Sequence, residues 1–221
     1  MRTKISGRTG RVRGASRALA EGRAGRTAAT FSGVGAGAGS ATLRAPMRIH
    51  SESLIHHPQP AVYDAYRNRL SEIAAYIPDV REIRVEKREE GEGAATIHNV
   101  WIADREIPVF ARAFLKPEML QWDDFAEWKD DEGRVYWKLR LRVFTDSVTC
   151  GGTNTFERVD DDNTRVRLEG DLDIDVKNIP GVPRLLAGGI KPKVEKFIVS
   201  LITPNLKRVN ESLQQFLDDH G

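Results

Sequence analysis

Strict alternation between apolar and charged residues governs the middle of this chain. In "RVYWKLRLRVF", Val135, Trp137, Leu139, Leu141 and Val143 share one face of an extended strand, while Tyr136, Lys138, Arg140, Arg142 and Phe144 share the other. Successive strand side chains point to opposite sides, so one face is dry and one is wet. The same period returns in "TRVRLEGDLDIDV": Val166, Leu168, Leu172, Ile174 and Val176 point one way, and Arg165, Arg167, Glu169, Asp171, Asp173 and Asp175 the other. "TCGGTNTFERV" and the turn "DDDN" join the two runs into an antiparallel meander. Such a sheet must cover its dry face, either with its own chain or with a guest molecule.

The flanking sequence supplies the rest of the architecture. Residues 48–56 read as a strand ended by "HHPQPA", where Pro58 and Pro60 forbid continuation and pre-set a helix start. Val62, Ala65, Tyr66, Leu70, Ile73, Ala74 and Ile77 then fall at helical spacing up to Pro78, with a break expected near Ser71. "REIRVEKREEGEGAATIHNVWIAD" predicts two strands around Gly91-Glu92-Gly93, "IPVFARAFL" a third, and "EMLQWDDFAEWKDDEGRVYWKLRLRVF" a hairpin turning at "DDEG". Gly151-Gly152 is expected to mark a bulge or sharp bend. The chain closes with an apolar stripe through Ile190, Val194, Phe197, Ile198, Leu201, Ile202, Leu206, Val209, Leu213 and Phe216, a long amphipathic helix that Pro204 should kink or split. The order is β–α–(about six β)–α, an α+β domain with one long helix on the dry face of one curved sheet.

Charge divides the chain into two unlike parts. Residues 1–46 carry nine basic residues against Glu21 alone, which leaves 25 basic and 31 acidic residues for 47–221. The acidic surplus of the body argues against nucleic acid, whose affinity rests on neutralising phosphates. Rich in Gly, Ala and Ser, the leader 1–46 lacks the apolar residues to offset its ordering entropy and is expected to be disordered. Three readings of it stay open: an organelle transit peptide, a basic tail for an acidic partner, or a start placed upstream of a true one at Met47. The single cysteine, Cys150, excludes an intrachain disulfide and suits a cytoplasmic, reducing compartment. No apolar run reaches the length that spans a bilayer, so no transmembrane segment is expected; transient membrane contact and the oligomeric state stay open.

Residues 47–221 resemble the START-like, polyketide cyclase and Bet v 1-like (SRPBCC) superfamily. The resemblance rests on the first strand "MRIHSESLIHHP", the proline-started helix "QPAVYDAY", the paired strands, the "IPGVP" connection and the final helix with "ITPNL". It implies a helix-grip fold, in which a seven-stranded curved antiparallel sheet wraps around a long C-terminal helix. It also implies a cavity between the two that holds an apolar small molecule such as a lipid or polyketide-like compound. Some members use that cavity as an active site for cyclisation or dehydration, and others bind chaperones. The match is architectural, and such folds host several functions.

Candidate site residues follow from parity. Trp101, Trp122, Trp128 and Trp137 all lie in predicted strands and, with Leu139, Leu141, Leu168, Leu172, Ile198 and Ile202, are expected to line the cavity, unless they simply fill a core. Asp124 shares the parity of Trp122 and Trp128, where a carboxylate would be a general acid or base; Phe125 breaks the alternation, so Asp124 is expected to turn outward into solvent. Of the neighbours His98 and Asn99, one should point inward. Leu185, Leu186, Gly188 and Gly189, just before the helix, are the expected entrance. His56 and His57 fall on opposite faces, "DDDN" lacks the glycine and distal glutamate of a calcium loop, and Cys150 has no identifiable base, so neither metal, cofactor nor catalytic residue is assigned. The resulting expectation is non-catalytic binding or transport of an apolar molecule. Its rivals are a cyclase or lyase using Asp124 or His98, and an interaction module in which the acidic strand Asp171–Asp175 meets a basic partner.

Overall fold

The computed structural model describes residues 45–175, 182 and 184–220, of 184, 186 and 187 the backbone alone. The basic leader lies outside the described residues except for Ala45 and Pro46, as does "KNIPGVP" except for Val182. Strand β1 (Met47–Ile55) leads into helix α1 (Gln59–Asn68) and the single turn α2 (Leu70–Ile73). Strands β2 (Val80–Gly91), β3 (Ala94–Ala103), β4 (Gln121–Lys129), β5 (Arg134–Leu141), β6 (Val148–Arg158) and β7 (Thr164–Ile174) follow, and helix α3 (Arg184–His220) ends the chain. All seven strands form one antiparallel sheet in the order β1-β7-β6-β5-β4-β3-β2. Hairpin succession places β2 to β7 side by side, and β1 pairs with β7 from Met47↔Leu172 to Ile55↔Thr164. The sheet curves around α3, whose Val194, Ile198, Leu201, Ile202, Val209 and Leu213 are buried in one core with the strands' inward residues.

Local chemistry sets these boundaries. Pro58 caps α1 with extended backbone, its carbonyl accepting from the N–H groups of Ala61 and Val62 at 3.0 and 3.1 Å. The break falls at Arg69, two residues before the expected Ser71. Inward and outward residues of β5 alternate without exception from Val135 to Leu141, as period two requires.

Four expectations need correction. "IPVFARAFL" is not a strand: β3 pairs directly with β4, from Ala94↔Lys129 to Ile102↔Gln121, leaving it no place between them. It forms a short 3₁₀ turn at Val109–Ala111 instead, entered through Pro108, which has no N–H for a ladder, and it buries Ile107, Ala111 and Leu115. Gly151-Gly152 makes no bulge, since β6 pairs in unbroken register with β5 and β7. The glycine requirement is one of close approach: a Cβ on Gly152 would sit 2.1 Å from the Glu169 carbonyl oxygen and 2.6 Å from Cζ2 of Trp137. Pro204 does not split the final helix, which runs unbroken through Pro192 and Pro204. The missing proline N–H leaves the Ser200 carbonyl without its helical donor, and Arg105 Nη1 donates to it at 2.8 Å. Gly188 and Gly189 lie within the first turns of α3, not in a loop ahead of it.

Candidate functional site

A cavity lies between the sheet and the middle of α3. Strand β3 contributes Asn99 and Trp101, β4 contributes Trp122, Asp124, Ala126 and Trp128, and β5 contributes Val135, Trp137 and Leu139. Asn154 enters from β6, Tyr66 from α1, and Ile202, Asn205, Leu206 and Val209 from α3. Parity explains the strand set, since each member is separated from the next on its strand by one outward residue. The free space totals about 620 Å³ where it opens to solvent, but only about 30 Å³ admits the centre of a water-sized sphere. The smaller figure measures the room for a guest: two or three waters fit, and a ring needs side chains to move aside. Arg67 and Leu206 are the lining residues that keep partial solvent exposure, so the mouth lies between α1 and α3.

The walls are aromatic. Trp101 and Trp122 stack with centroids 5.7 Å apart, and Trp128 meets Tyr63, Tyr66 and Phe156 at 5.2, 5.9 and 5.9 Å. Trp137 is fixed by a polar chain: its Nε1 donates to Asn154 Oδ1 at 3.0 Å, and Asn154 Nδ2 donates to the Tyr66 hydroxyl at 2.9 Å.

Asp124 is the largest departure from expectation. It points inward with 7% of its surface exposed, because β4 keeps continuous register with both neighbours and no bulge turns it. Phe125 is the outward residue, stacked on His98 at 4.5 Å and covered by the Arg140 guanidinium at 5.3 Å. Burial raises the Asp124 carboxyl to about 6, against hydrogen bonds from Asn99 Nδ2 (3.2 Å) and Trp101 Nε1 (3.3 Å), both to Oδ2. Oδ1 is buried without a partner, as is Oδ1 of Asn205, whose Nδ2 donates to the Leu201 carbonyl at 2.9 Å.

Of the pair His98 and Asn99, Asn99 faces the cavity and His98 the outer side. His98 Nε2 lies 2.9 Å from Asp123 Oδ1, and Arg140 and Arg142 reach the same carboxylate at 3.3 and 3.1 Å. Burial alone would raise Asp123, but the donors Arg142, His98 and Arg140 outweigh it and hold it below the usual range. His98 is thereby excluded as an acid or base in this cavity. Two consecutive aspartates stand on opposite sides of the sheet with opposite electrostatics.

The other expected residues divide. Trp101, Trp122, Trp128, Trp137, Leu139 and Ile202 line this cavity. Leu141 and Ile198 border a separate, tighter gap beside Phe144 and Phe197, Leu168 is fully buried in the packed core, and Leu172 borders a groove with Met47 and Val199. Leu185, Gly188 and Gly189 are exposed and border no part of the tryptophan cavity; the Leu186 side chain lies outside the described residues. Sequence reasoning missed Asn154, Asn205 and the site role of Tyr66. Inward parity with Phe156 marks Asn154, and a three-residue step from Ile202 marks Asn205.

This arrangement, a seven-stranded curved antiparallel sheet around a long C-terminal helix, is the helix-grip fold. A solved protein from Thermus thermophilus is 19% identical, with a TM-score of 0.51, covering 79% of this chain and 100% of its own. The Zhui aromatase/cyclase from Streptomyces sp. R1128 is 12% identical, with a TM-score of 0.52, covering 78% of this chain and 96% of its own. No protein-family model matches the sequence, and no curated protein does. Among the described residues no helix is long and apolar enough to cross a membrane.

Proposed function

We propose that this chain binds a small, largely apolar, ring-bearing molecule between α3 and strands β3 to β6. The observation that carries this reading is the cavity itself: four tryptophans and Tyr66 surround a space with few polar groups and a mouth at Arg67 and Leu206. Concave, mostly aromatic walls with sparse polar anchors are the usual form of a small-molecule site. Burial of a ring supplies affinity at about 25 cal/mol per Å² of apolar surface, and rearrangement of Leu206 and the mouth supplies room. Native mass spectrometry of protein purified from its own host tests the proposal, together with calorimetric titration of a neutral naphthalene alcohol. Retention of a small molecule, or saturable binding of the alcohol that Ala126→Leu abolishes, is expected. A chain that retains nothing and ignores the alcohol overturns the proposal.

A second reading has one specific observation in its favour. Asp124 carries a buried carboxyl near neutrality with one open oxygen, the condition of a general acid or base at ordinary pH. The Streptomyces neighbour is an aromatase/cyclase. If the retained molecule is transformed by the wild type and merely bound by Asp124→Asn, the site is catalytic.

A further inference from the structure

The polar atoms of the cavity are matched unevenly. Most of its donors are occupied: Asn99 Nδ2 and Trp101 Nε1 by Asp124 Oδ2, Trp137 Nε1 and Asn154 Nδ2 by Asn154 Oδ1 and the Tyr66 hydroxyl oxygen, and Asn205 Nδ2 by a backbone carbonyl, while Arg67 Nε at the mouth has no hydrogen bond and lies 3.3 Å from Asp130. Inside the mouth, Asp124 Oδ1 and Asn205 Oδ1 remain without a partner, both acceptors, both in residues more than nine-tenths buried. A buried acceptor left bare costs on the order of 1–3 kcal/mol, and more when it is ionised, so a matching occupant brings donors.

Among the described residues no cationic side chain neutralises Asp124 from within the cavity. Arg67, at the mouth, is held by Glu90 at 2.6 Å and lies 3.3 Å from Asp130. His98 stands on the far side of the sheet against Asp123, and burial keeps the Cys150 thiol neutral, pushed up to about 12. The remaining walls are aliphatic side chains and four indoles, and indole rings attract cations. Resting on the ligand-binding reading above, we infer that the occupant is a ring-bearing amine: its ammonium donates to Asp124 Oδ1, a second N–H or O–H donates to Asn205 Oδ1, and its ring lies among the tryptophans. Carboxylate-bearing ligands of the same shape are excluded by charge.

Three probes of one shape test this: 2-(2-naphthyl)ethylamine, 2-(2-naphthyl)ethanol and 2-naphthylacetate, titrated calorimetrically at pH 7.5 and pH 5. The amine should bind about 10- to 100-fold more tightly than the alcohol at pH 7.5, as a hydrogen bond to a charged group gives, and the acetate more weakly than either. At pH 5, with Asp124 protonated, the amine should lose most of its advantage while the alcohol changes little. Asp124→Asn should bring amine and alcohol within about threefold at both pH values; the untouched wild type at two pH values carries the test should that variant misfold. Equal binding of all three probes, or an amine preference that survives in Asp124→Asn, overturns the inference and leaves the ligand-binding reading standing. Binding of none overturns the inference, and overturns the ligand-binding reading with it only if the protein purified from its own host also retains no molecule.

Discussion

Asp123 and Asp124 show how little a residue's identity says without its face. One is held ionised by two arginines and a histidine on the outer side, and the other is pushed toward its neutral form inside. A folded-state value raised from 3.8 to about 6 means that Asp124 folds most favourably when protonated. Its cost is therefore absent below about pH 4, grows as pH rises between the two values, and reaches roughly 3 kcal/mol above pH 6. Asp124→Asn should accordingly raise unfolding free energy by up to about that amount at pH 7.5 and by little at pH 4, as urea denaturation at the two pH values will read. The four tryptophans were legible because period two assigns their side from the chain alone. Asp124 was not, because Phe125 looks like a break in alternation until His98 and Arg140 are seen to cover it, and those partners come from β3 and β5. Asn154 and Asn205 carried the right spacing, but a polar residue on a dry face is visible only when parity is applied to it as strictly as to leucine.

Among the elements, α3 and β6 bear the conditions that sequence alone states incompletely. Pro204 announces a defect in α3, and the repair comes from Arg105, ninety-five residues away. If Arg105 stabilises chiefly through the Ser200 carbonyl, Arg105→Met should cost about 1–2 kcal/mol in the wild type and clearly less beside Pro204→Ala, which restores the helical donor. A double-mutant cycle by thermal and urea unfolding measures the difference, and equal costs in both backgrounds would assign Arg105 to its contact with Asp79 at 3.6 Å instead. Glycine separates two kinds of position. Gly152→Ala drives a methyl into Glu169 and Trp137 and should cost more than about 3 kcal/mol. Gly188→Ala meets open space within a helix and should stabilise by about 0.5–1 kcal/mol. The sequence pattern could locate both glycines but not distinguish them, since close approach is a property of three strands together.

At the scale of the molecule, the mouth joins parts distant in the chain. Arg67 of α1 meets Glu90 of the β2–β3 hairpin and Asp130 of the β4–β5 turn, and Tyr63 donates to the same Asp130 at 2.8 Å. Arg67 lines the cavity only at its solvent-exposed mouth, so Arg67→Ala should speed both association and dissociation of the naphthyl alcohol several-fold while keeping its dissociation constant within about threefold. Stopped-flow mixing decides: unchanged rates would place the route elsewhere, with the expected Leu185 to Gly189 segment next to be tried. The order of elements was readable because turns and period changes are local, whereas the mouth belongs to contacts between α1 and two hairpins. The stacked pair Trp101 and Trp122 has one more consequence. Indoles 5.7 Å apart and inclined by 21° share their excited states, so their absorption splits into circular-dichroism bands of opposite sign that overlie the backbone signal. Trp122→Phe should erase that couplet without altering the fold, and a guest that turns either ring should reshape it, which makes the cavity wall its own optical gauge of occupancy.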